Sequence, residues 1–317
     1  MYSEHPMISV YCATYNHENY ITQALDSILM QKTQYSMEIL VGEDCSTDNT
    51  RAVLKEYEKQ HPGKLKVFYR ERNLFVGNFK DLKKRCKGRY IICLEGDDFW
   101  TDEYKIEKQV NFLEAHPEYL AVAHNCVVVG EDSKSTGEVY PECKVPEYTM
   151  KCYQNDIMPG QTTTLLCRNY VHGNVFDTSF INTSLIPGDR KLYFSLVANG
   201  RVYCMQEVMS AYRHVTSSGS SFSATYKYKY ENAYNWNLEQ LKYAYKINKT
   251  EAIKCAELLL ALTVQYGLRH HNISFREAIA DIVPIRNKCR TFTALVIRNF
   301  KRAVQIITNS SPSYLNN

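Results

Sequence analysis

Short apolar runs alternate with amphipathic stretches through the first hundred residues. Residues 7–13 (Met-Ile-Ser-Val-Tyr-Cys-Ala), 38–41 (Glu-Ile-Leu-Val), 65–69 and 90–94 (Tyr-Ile-Ile-Cys-Leu) are brief, apolar and bounded by turn residues. They read as buried strands. Between them, residues 20–30 set Ile21, Ala24, Leu25, Ile28 and Leu29 on one face at helical spacing. Residues 48–60, entered through the cap-forming Ser46-Thr47-Asp48, and residues 77–87 predict two more helices. A fourth, opened by Thr101-Asp102-Glu103, turns Ile106, Val110 and Leu113 inward. Strands separated by helices of about ten to fifteen residues imply βαβ units and a parallel sheet covered on both faces.

In open sheets of this kind the ligand lies beyond the carboxyl ends of the strands. Three polar clusters fall at those ends: Thr14-Tyr15-Asn16-His17, Glu43-Asp44-Cys45-Ser46 and Glu95-Gly96-Asp97-Asp98. Three carboxylates around one glycine are costly to gather unless a positive charge binds there. A hard divalent cation bridging carboxylate and phosphate is the natural partner, and a solvated acidic turn is the bland alternative. No G-x-G-x-x-G follows the first strand and no G-x-x-x-x-G-K-[ST] occurs, so neither dinucleotide-binding nor P-loop chemistry is indicated.

The 317 residues allow one large domain with a helical appendage, and 44% apolar residues are enough for a core. A net charge of +4 is too mild to argue for nucleic acid. Eleven dispersed cysteines without a C-x-x-C fit a reducing compartment better than a disulfide framework. Neither a signal-peptide stretch nor a bilayer-spanning run is present in the sequence. The expectation is a cytoplasmic protein, soluble or peripheral at the inner face of the membrane.

The segments Ile8-Ser9-Val10-Tyr11-Cys12-Ala13-Thr14-Tyr15-Asn16, Val41-Gly42-Glu43-Asp44-Cys45-Ser46-Thr47-Asp48 and Leu94-Glu95-Gly96-Asp97-Asp98-Phe99-Trp100, in that order, resemble a family 2 glycosyltransferase of GT-A fold. The resemblance covers about residues 6–215. It implies a Rossmann-like mixed, mainly parallel sheet with a C-terminal helical extension. It also implies inverting transfer of a sugar from a nucleotide diphosphate sugar, a UDP-sugar for preference, to a hydroxyl of a glycan or lipid-linked glycan such as a bacterial surface polysaccharide or lipopolysaccharide. By that likeness residues 1–222 are the transferase domain, with a nucleotide-sugar half of about 1–100 and an acceptor half of about 101–222, and residues 223–317 are helical.

The roles it implies are chemically coherent. Thr14, Tyr15 and Asn16 would lie against the nucleotide, and Asp44 would hydrogen-bond the base or ribose. Asn73 and Gly77 match the loop beside the base. Glu95-Gly96-Asp97 stands where the family has D-x-D, with Asp98 following, and Asp97 would take Mg²⁺ or Mn²⁺ on the diphosphate. Glu95 is a departure that leaves its ribose contact open. Asp189, in Pro187-Gly188-Asp189-Arg190, has the position of the general base, although Gly188 departs from the usual acid and the bland alternative for Asp189 is a helix cap. His214 would ligate the metal or meet phosphate, with Arg213 turned elsewhere. Two rivals remain at this level: a non-catalytic nucleotide- or glycan-binding protein that kept the fold, and a nucleotidyltransferase, for which Ala13-Thr14-Tyr15-Asn16 lacks the Gly-rich phosphate loop.

Residues 161–166 (Gln-Thr-Thr-Thr-Leu-Leu) read as a strand facing the acceptor, and Ser217–Ser223 as a mobile loop. Helices are expected over the tyrosine-rich stretch after residue 222, over Glu251–Leu268 and over Thr291–Thr308. The last sets Val296, Phe300, Ala303, Val304 and Ile307 beside Arg290, Arg298, Lys301 and Arg302, which suits either a membrane surface or a helical bundle.

Overall fold

The computed structural model describes residues 7–140, 144–183, 188–214 and 229–309. The expected loop at Ser217–Ser223 lies outside the described residues. The described chain clusters into two compact units: Met1–Thr178 with Leu192–Thr225, and Ser179–Lys191 with Tyr226–Asn317.

The first unit is built on one mixed sheet. Strands β1 (Ile8–Thr14), β2 (Met37–Glu43), β3 (Lys66–Tyr69) and β4 (Tyr90–Glu95) alternate with helices α1 (Ile21–Leu29), α2 (Thr50–Gln60) and α3 (Val76–Arg85). There follow β5 (Phe99–Trp100), α4 (Lys105–Ala115), β6 (Tyr119–Val129), β7 (Ser135–Tyr140), β8 (Glu147–Tyr148), α5 (Met150–Gln154), β9 (Leu166–Arg168), α6 (Gly188–Asn199) and β10 (Arg201–Arg213). The order across the sheet is β3-β2-β1-β4-β9-β6-β10-β5. Strands β3, β2, β1 and β4 are mutually parallel. Beyond them β9 runs antiparallel between β4 and β6, while β6 and β10 are parallel again.

The apolar runs form strands because both faces are covered. Ile8, Val10 and Cys12 from β1 pack with Ile92 and Leu94 from β4 and with Ile21, Leu25 and Ile28 from α1, all essentially inaccessible to water. Each such aliphatic side chain contributes about 1.5–3 kcal/mol by leaving water. Chain order fixes the ligand site. From β1 the chain moves outward to β2 and β3, then returns to place β4 on the other side of β1. In sheets of this order a ligand site is expected at the carboxyl ends of β1 and β4, where the chain leaves the two strands toward opposite sides.

One expectation is corrected. Residues 161–166 do not form a strand: Thr162–Thr164 is a 3₁₀ turn, and the strand is only Leu166–Arg168. The Gln161 Oε1 accepts the Thr163 N–H at 2.7 Å and its hydroxyl at 2.9 Å. That side chain offers the backbone a local partner in place of a ladder, which turns a β-branched run out of the sheet.

The second unit holds α7 (Tyr230–Ile247), α8 (Thr250–Arg269), α9 (Phe275–Asp281) and α10 (Lys288–Asn309). Its core includes Leu241, Ala244, Cys255, Leu260 and Val264. Glu257, 1% exposed, accepts hydrogen bonds from the Tyr245 hydroxyl at 2.8 Å, the Asn287 N–H at 3.1 Å and Arg290 at 2.5 Å. These bonds to one buried carboxylate tie the start of α10 to α8.

Candidate active site

The site grows from the register of three strands. Ala13 lies opposite Glu95 across the β1–β4 ladder, and Thr14 lies opposite Glu43 across β1–β2. All three sequence clusters thus leave the sheet side by side. The Asp44 N–H donates to the Thr14 carbonyl at 3.0 Å, and the Gly96 N–H to the Ala13 carbonyl at 3.0 Å.

Gly96 is fixed by space. A Cβ there would meet the Thr14 Oγ1 at 2.7 Å and the His17 Nδ1 at 2.8 Å, both closer than van der Waals contact. The absence of a side chain lets the loop after β1 close on the loop after β4. Thr14 and His17 are themselves 3.3 Å apart, Oγ1 to Nδ1, and the His17 Nε2 lies 3.8 Å from the Asp97 carboxylate. His17 is the residue that sequence reading left without a role.

The acidic turn is braced by Arg213, a residue that the sequence reading had turned elsewhere. Its Nε donates to the Asp97 carbonyl at 2.8 Å, and its Nη1 to Gly130 O (3.0 Å), Glu131 O (3.1 Å) and Ser133 Oγ (3.0 Å). Its Nη2 donates to Gln23 Oε1 at 2.7 Å, and the guanidinium sits 4.4 Å from the Tyr20 ring centre. The Arg213 backbone N–H also donates to Asp98 Oδ1 at 2.8 Å. A planar five-donor fork is used nearly in full, and an ammonium cannot reproduce it. Arg213→Lys is expected to lower unfolding stability by about 3 kcal/mol, because buried carbonyls lose charged donors. An unchanged melting temperature in that variant would remove the brace.

Asp98 is buried, and among the described residues its Oδ2 has no hydrogen-bond partner. Burial, with Asp97 and Glu95 beside it, pushes its carboxyl well above the usual carboxylate range. Glu95 is held at its Oε2 by the Gln161 Nε2 at 3.3 Å. Among the described residues no three His, Cys, Asp or Glu side chains converge as a ready-made metal cage. Mg²⁺ and Mn²⁺ in phosphate-transfer sites need only one or two carboxylates, with phosphate and water completing the shell. Asp97, partly exposed, beside an orphaned buried carboxyl oxygen on Asp98, fits that requirement. His214 follows Arg213 with an exposed side chain and its N–H on the Val129 carbonyl at 2.9 Å, so the histidine placed against Asp97 is His17.

Asp44 and the loop before α3 form the neighbouring half. The Asp44 oxygens accept the N–H groups of Leu74 at 2.8 Å and Phe75 at 2.9 Å. Asn73 Oδ1 also accepts the Phe75 N–H at 2.8 Å, and the Gly77 N–H closes a turn on Leu74 O at 2.8 Å. Asp44 thus shapes the loop, and a carboxylate with about four acceptor positions retains capacity for a further donor. Phe75 is held at a φ of 50° with its ring 74% exposed, a strained setting for a bulky residue. Asn16, also at positive φ (56°), spends its Oδ1 on the Thr47 N–H at 2.8 Å, which links the loops after β1 and β2. Tyr15 is half-buried beside it.

Asp189 belongs to the second unit and stands in the first turn of α6, where its Oδ1 accepts the Arg190 N–H at 2.8 Å.

The family model described as glycosyl transferase family 2 matches residues 9–173, more than half of the chain. An uncharacterized protein of Mycobacterium tuberculosis (strain ATCC 25618 / H37Rv) is 31% identical over 213 residues, 65% of this chain and 58% of that protein. The minor teichoic acid biosynthesis protein GgaB of Bacillus subtilis (strain 168) is 24% identical over 277 residues, 86% of this chain and 29% of that protein. The chain therefore spans less than two thirds of the length of these relatives. Among solved structures, S. aureus TarS 1–349 in complex with UDP-GlcNAc superposes with a TM-score of 0.58 at 19% identity, over 91% of this chain and 79% of that one. The fold is the GT-A fold of glycosyltransferases. The chain belongs to glycosyl transferase family 2.

Proposed function

We propose that the protein moves a sugar from a nucleotide diphosphate sugar, a UDP-sugar, to a hydroxyl of a glycan or lipid-linked glycan, inverting the anomeric carbon. The observation that carries this is the meeting of Thr14, His17, Gly96 and Asp97 at the crevice between β1 and β4, one hydrogen bond away from Asp44. A nucleoside would lie over Tyr15 and Phe75 with Asp44 and Asn73 at its polar edge. The diphosphate would extend toward Asp97, with His17 and His214 as donors to its oxygens. Mg²⁺ or Mn²⁺, held by Asp97 with Asp98 behind it, would supply charge neutralisation for the leaving diphosphate. The acceptor oxygen attacks the anomeric carbon, the bond from that carbon to the diphosphate breaks, and the acceptor proton passes to Asp189.

The test is calorimetric titration with UDP, GDP and dTDP, each with and without Mn²⁺. UDP is expected to bind at least about tenfold more tightly with Mn²⁺ than without, and more tightly than the other two. Binding of none of the three would overturn the transferase reading in favour of a glycan-binding protein that has kept the fold.

A further inference from the structure

The second unit carries exposed apolar side chains on two successive helices that its own core does not use. Among the described residues, eight large apolar side chains are at least half exposed, and six of them fall between residues 275 and 297: Phe275 (73%), Ile279 (52%), Val283 (64%), Phe292 (69%), Val296 (52%) and Ile297 (50%). The first three recur every fourth position. The bonds Ile282 N–H to Ala278 O (3.2 Å) and Val283 N–H to Ala280 O (3.1 Å) carry the last turn of α9 on to Val283, so the three share one face. About 100° round the same helix from that stripe Ala278 is buried, so the side of α9 that meets the core is not the side that carries Phe275, Ile279 and Val283. The same division holds in α10, where Thr291 is buried and Phe292 and Val296 are exposed. Only Val296 of these was expected from the sequence, and the face on α9 was not expected at all.

Charge says what covers this surface. Residues 266–309 contain eight Lys and Arg (Arg269, Arg276, Arg286, Lys288, Arg290, Arg298, Lys301, Arg302) against two acids (Glu277, Asp281), a net charge of +6, whereas the whole chain is +4. Everything outside this segment is therefore net negative. The two acids are also spent locally. Glu277 closes a capping box with Ser274, and Asp281 accepts the Tyr230 hydroxyl at 2.6 Å. Arg276, Arg286 and Lys288 stay exposed between the apolar positions. Aromatic and aliphatic side chains interleaved with unopposed cations, on helices with no span long and apolar enough to cross a bilayer, are the makings of an interfacial surface.

We infer that this face docks onto an anionic lipid bilayer, with Phe275, Val283 and Phe292 entering the headgroup–acyl boundary and Arg276, Arg286 and Lys288 meeting lipid phosphates. The inference is independent of the transfer chemistry. It concerns a unit other than the one that holds the donor crevice.

The experiment is co-sedimentation of the full chain with phosphatidylcholine vesicles, with and without about 30% phosphatidylglycerol. The protein is expected to pellet with the anionic vesicles at low salt, to be released as salt rises, and to stay in solution with the neutral ones. The variant Phe275→Ser/Val283→Ser/Phe292→Ser is expected to lose at least about tenfold in partitioning. Its melting temperature and UDP affinity are expected to be unchanged, since all three side chains are already in water. Arg276→Gln/Lys288→Gln is expected to erase the preference for anionic over neutral vesicles. No pelleting of the wild type at low salt would overturn the inference. So would a concentration-dependent dimer abolished by the triple serine variant with vesicle binding left intact, which would assign the face to a second copy.

Discussion

Asp97→Asn is expected to bind UDP with the same affinity whether or not Mn²⁺ is present, and to lose about 10³-fold in turnover. The asparagine keeps the shape of the turn, because what holds that turn is backbone: the Asp97 carbonyl takes the Arg213 Nε, and the Asp98 N–H closes on the Glu95 carbonyl at 3.1 Å. Only the charge is removed. In the wild-type turn that charge sits between a buried Asp98, whose carboxyl is pushed above the usual range partly by Asp97, and the Arg213 guanidinium, which it attracts. The nearest cationic candidate is His17 at 3.8 Å, with both side chains partly exposed, so the lost pair costs little. The melting temperature of Asp97→Asn should therefore stay close to that of the wild type while turnover collapses. That combination separates a site carboxylate from a structural one. If Mn²⁺ still strengthened UDP binding to this variant, the ligand role would pass to Glu95 or Asp98. If the variant melted well below the wild type, Asp97 would be a part of the scaffold.

The parallel half of the sheet was legible because β1, β2 and β4 are largely buried and appear as apolar runs between turn residues, while the edge strand β3 is only partly buried. Their ends were legible for the same reason, since Thr14, Glu43 and Glu95 mark where burial gives way to polar loops. Helix starts were less so. Asp48 reads as a cap, but its Oδ1 accepts the Thr50 N–H at 2.9 Å while its Oδ2 accepts from Glu18, and the helix begins only at Thr50. Strand β6 escaped because His124 and Asn125 interrupt its apolar run; His124 is buried, and burial holds its imidazole well below the usual range. The helix α9 carried a readable capping box at Ser274 and Glu277, yet its exposed Phe275 and Ile279 spoil the one-sided pattern that marks a surface helix. In the site, the carboxylates announced themselves by crowding. His17 and Phe75 did not, because neither has a spacing signal. His17 comes beside Asp97 through the β1–β4 pairing, and Phe75 is tied to Asp44 by the bond from its N–H.

Asp189→Asn is the sharper test of mechanism, because a base and a helix cap fail differently. Asp189 lies within the first turn of α6 and asparagine keeps the acceptor for the Arg190 N–H, so a purely structural role would survive the change almost intact. The charge at the first turn of α6 adds at most about 1 kcal/mol through the helix dipole, which a small drop in melting temperature would report. A general base, in contrast, must take the proton of the acceptor hydroxyl, and an amide cannot. Removal of such a group lowers the rate by roughly 10²- to 10⁴-fold. The expected result is a transfer rate down by about 10³ with UDP affinity within about twofold of wild type, since the carboxylate that shapes the nucleotide loop is Asp44 in the first unit. Asp189→Ala completes the comparison. It should match Asp189→Asn in rate but melt lower, because only the alanine also removes the acceptor for the Arg190 N–H. Near-normal transfer by Asp189→Asn, with the loss confined to the melting temperature of Asp189→Ala, would leave Asp189 a cap and send the search for the base to another carboxylate.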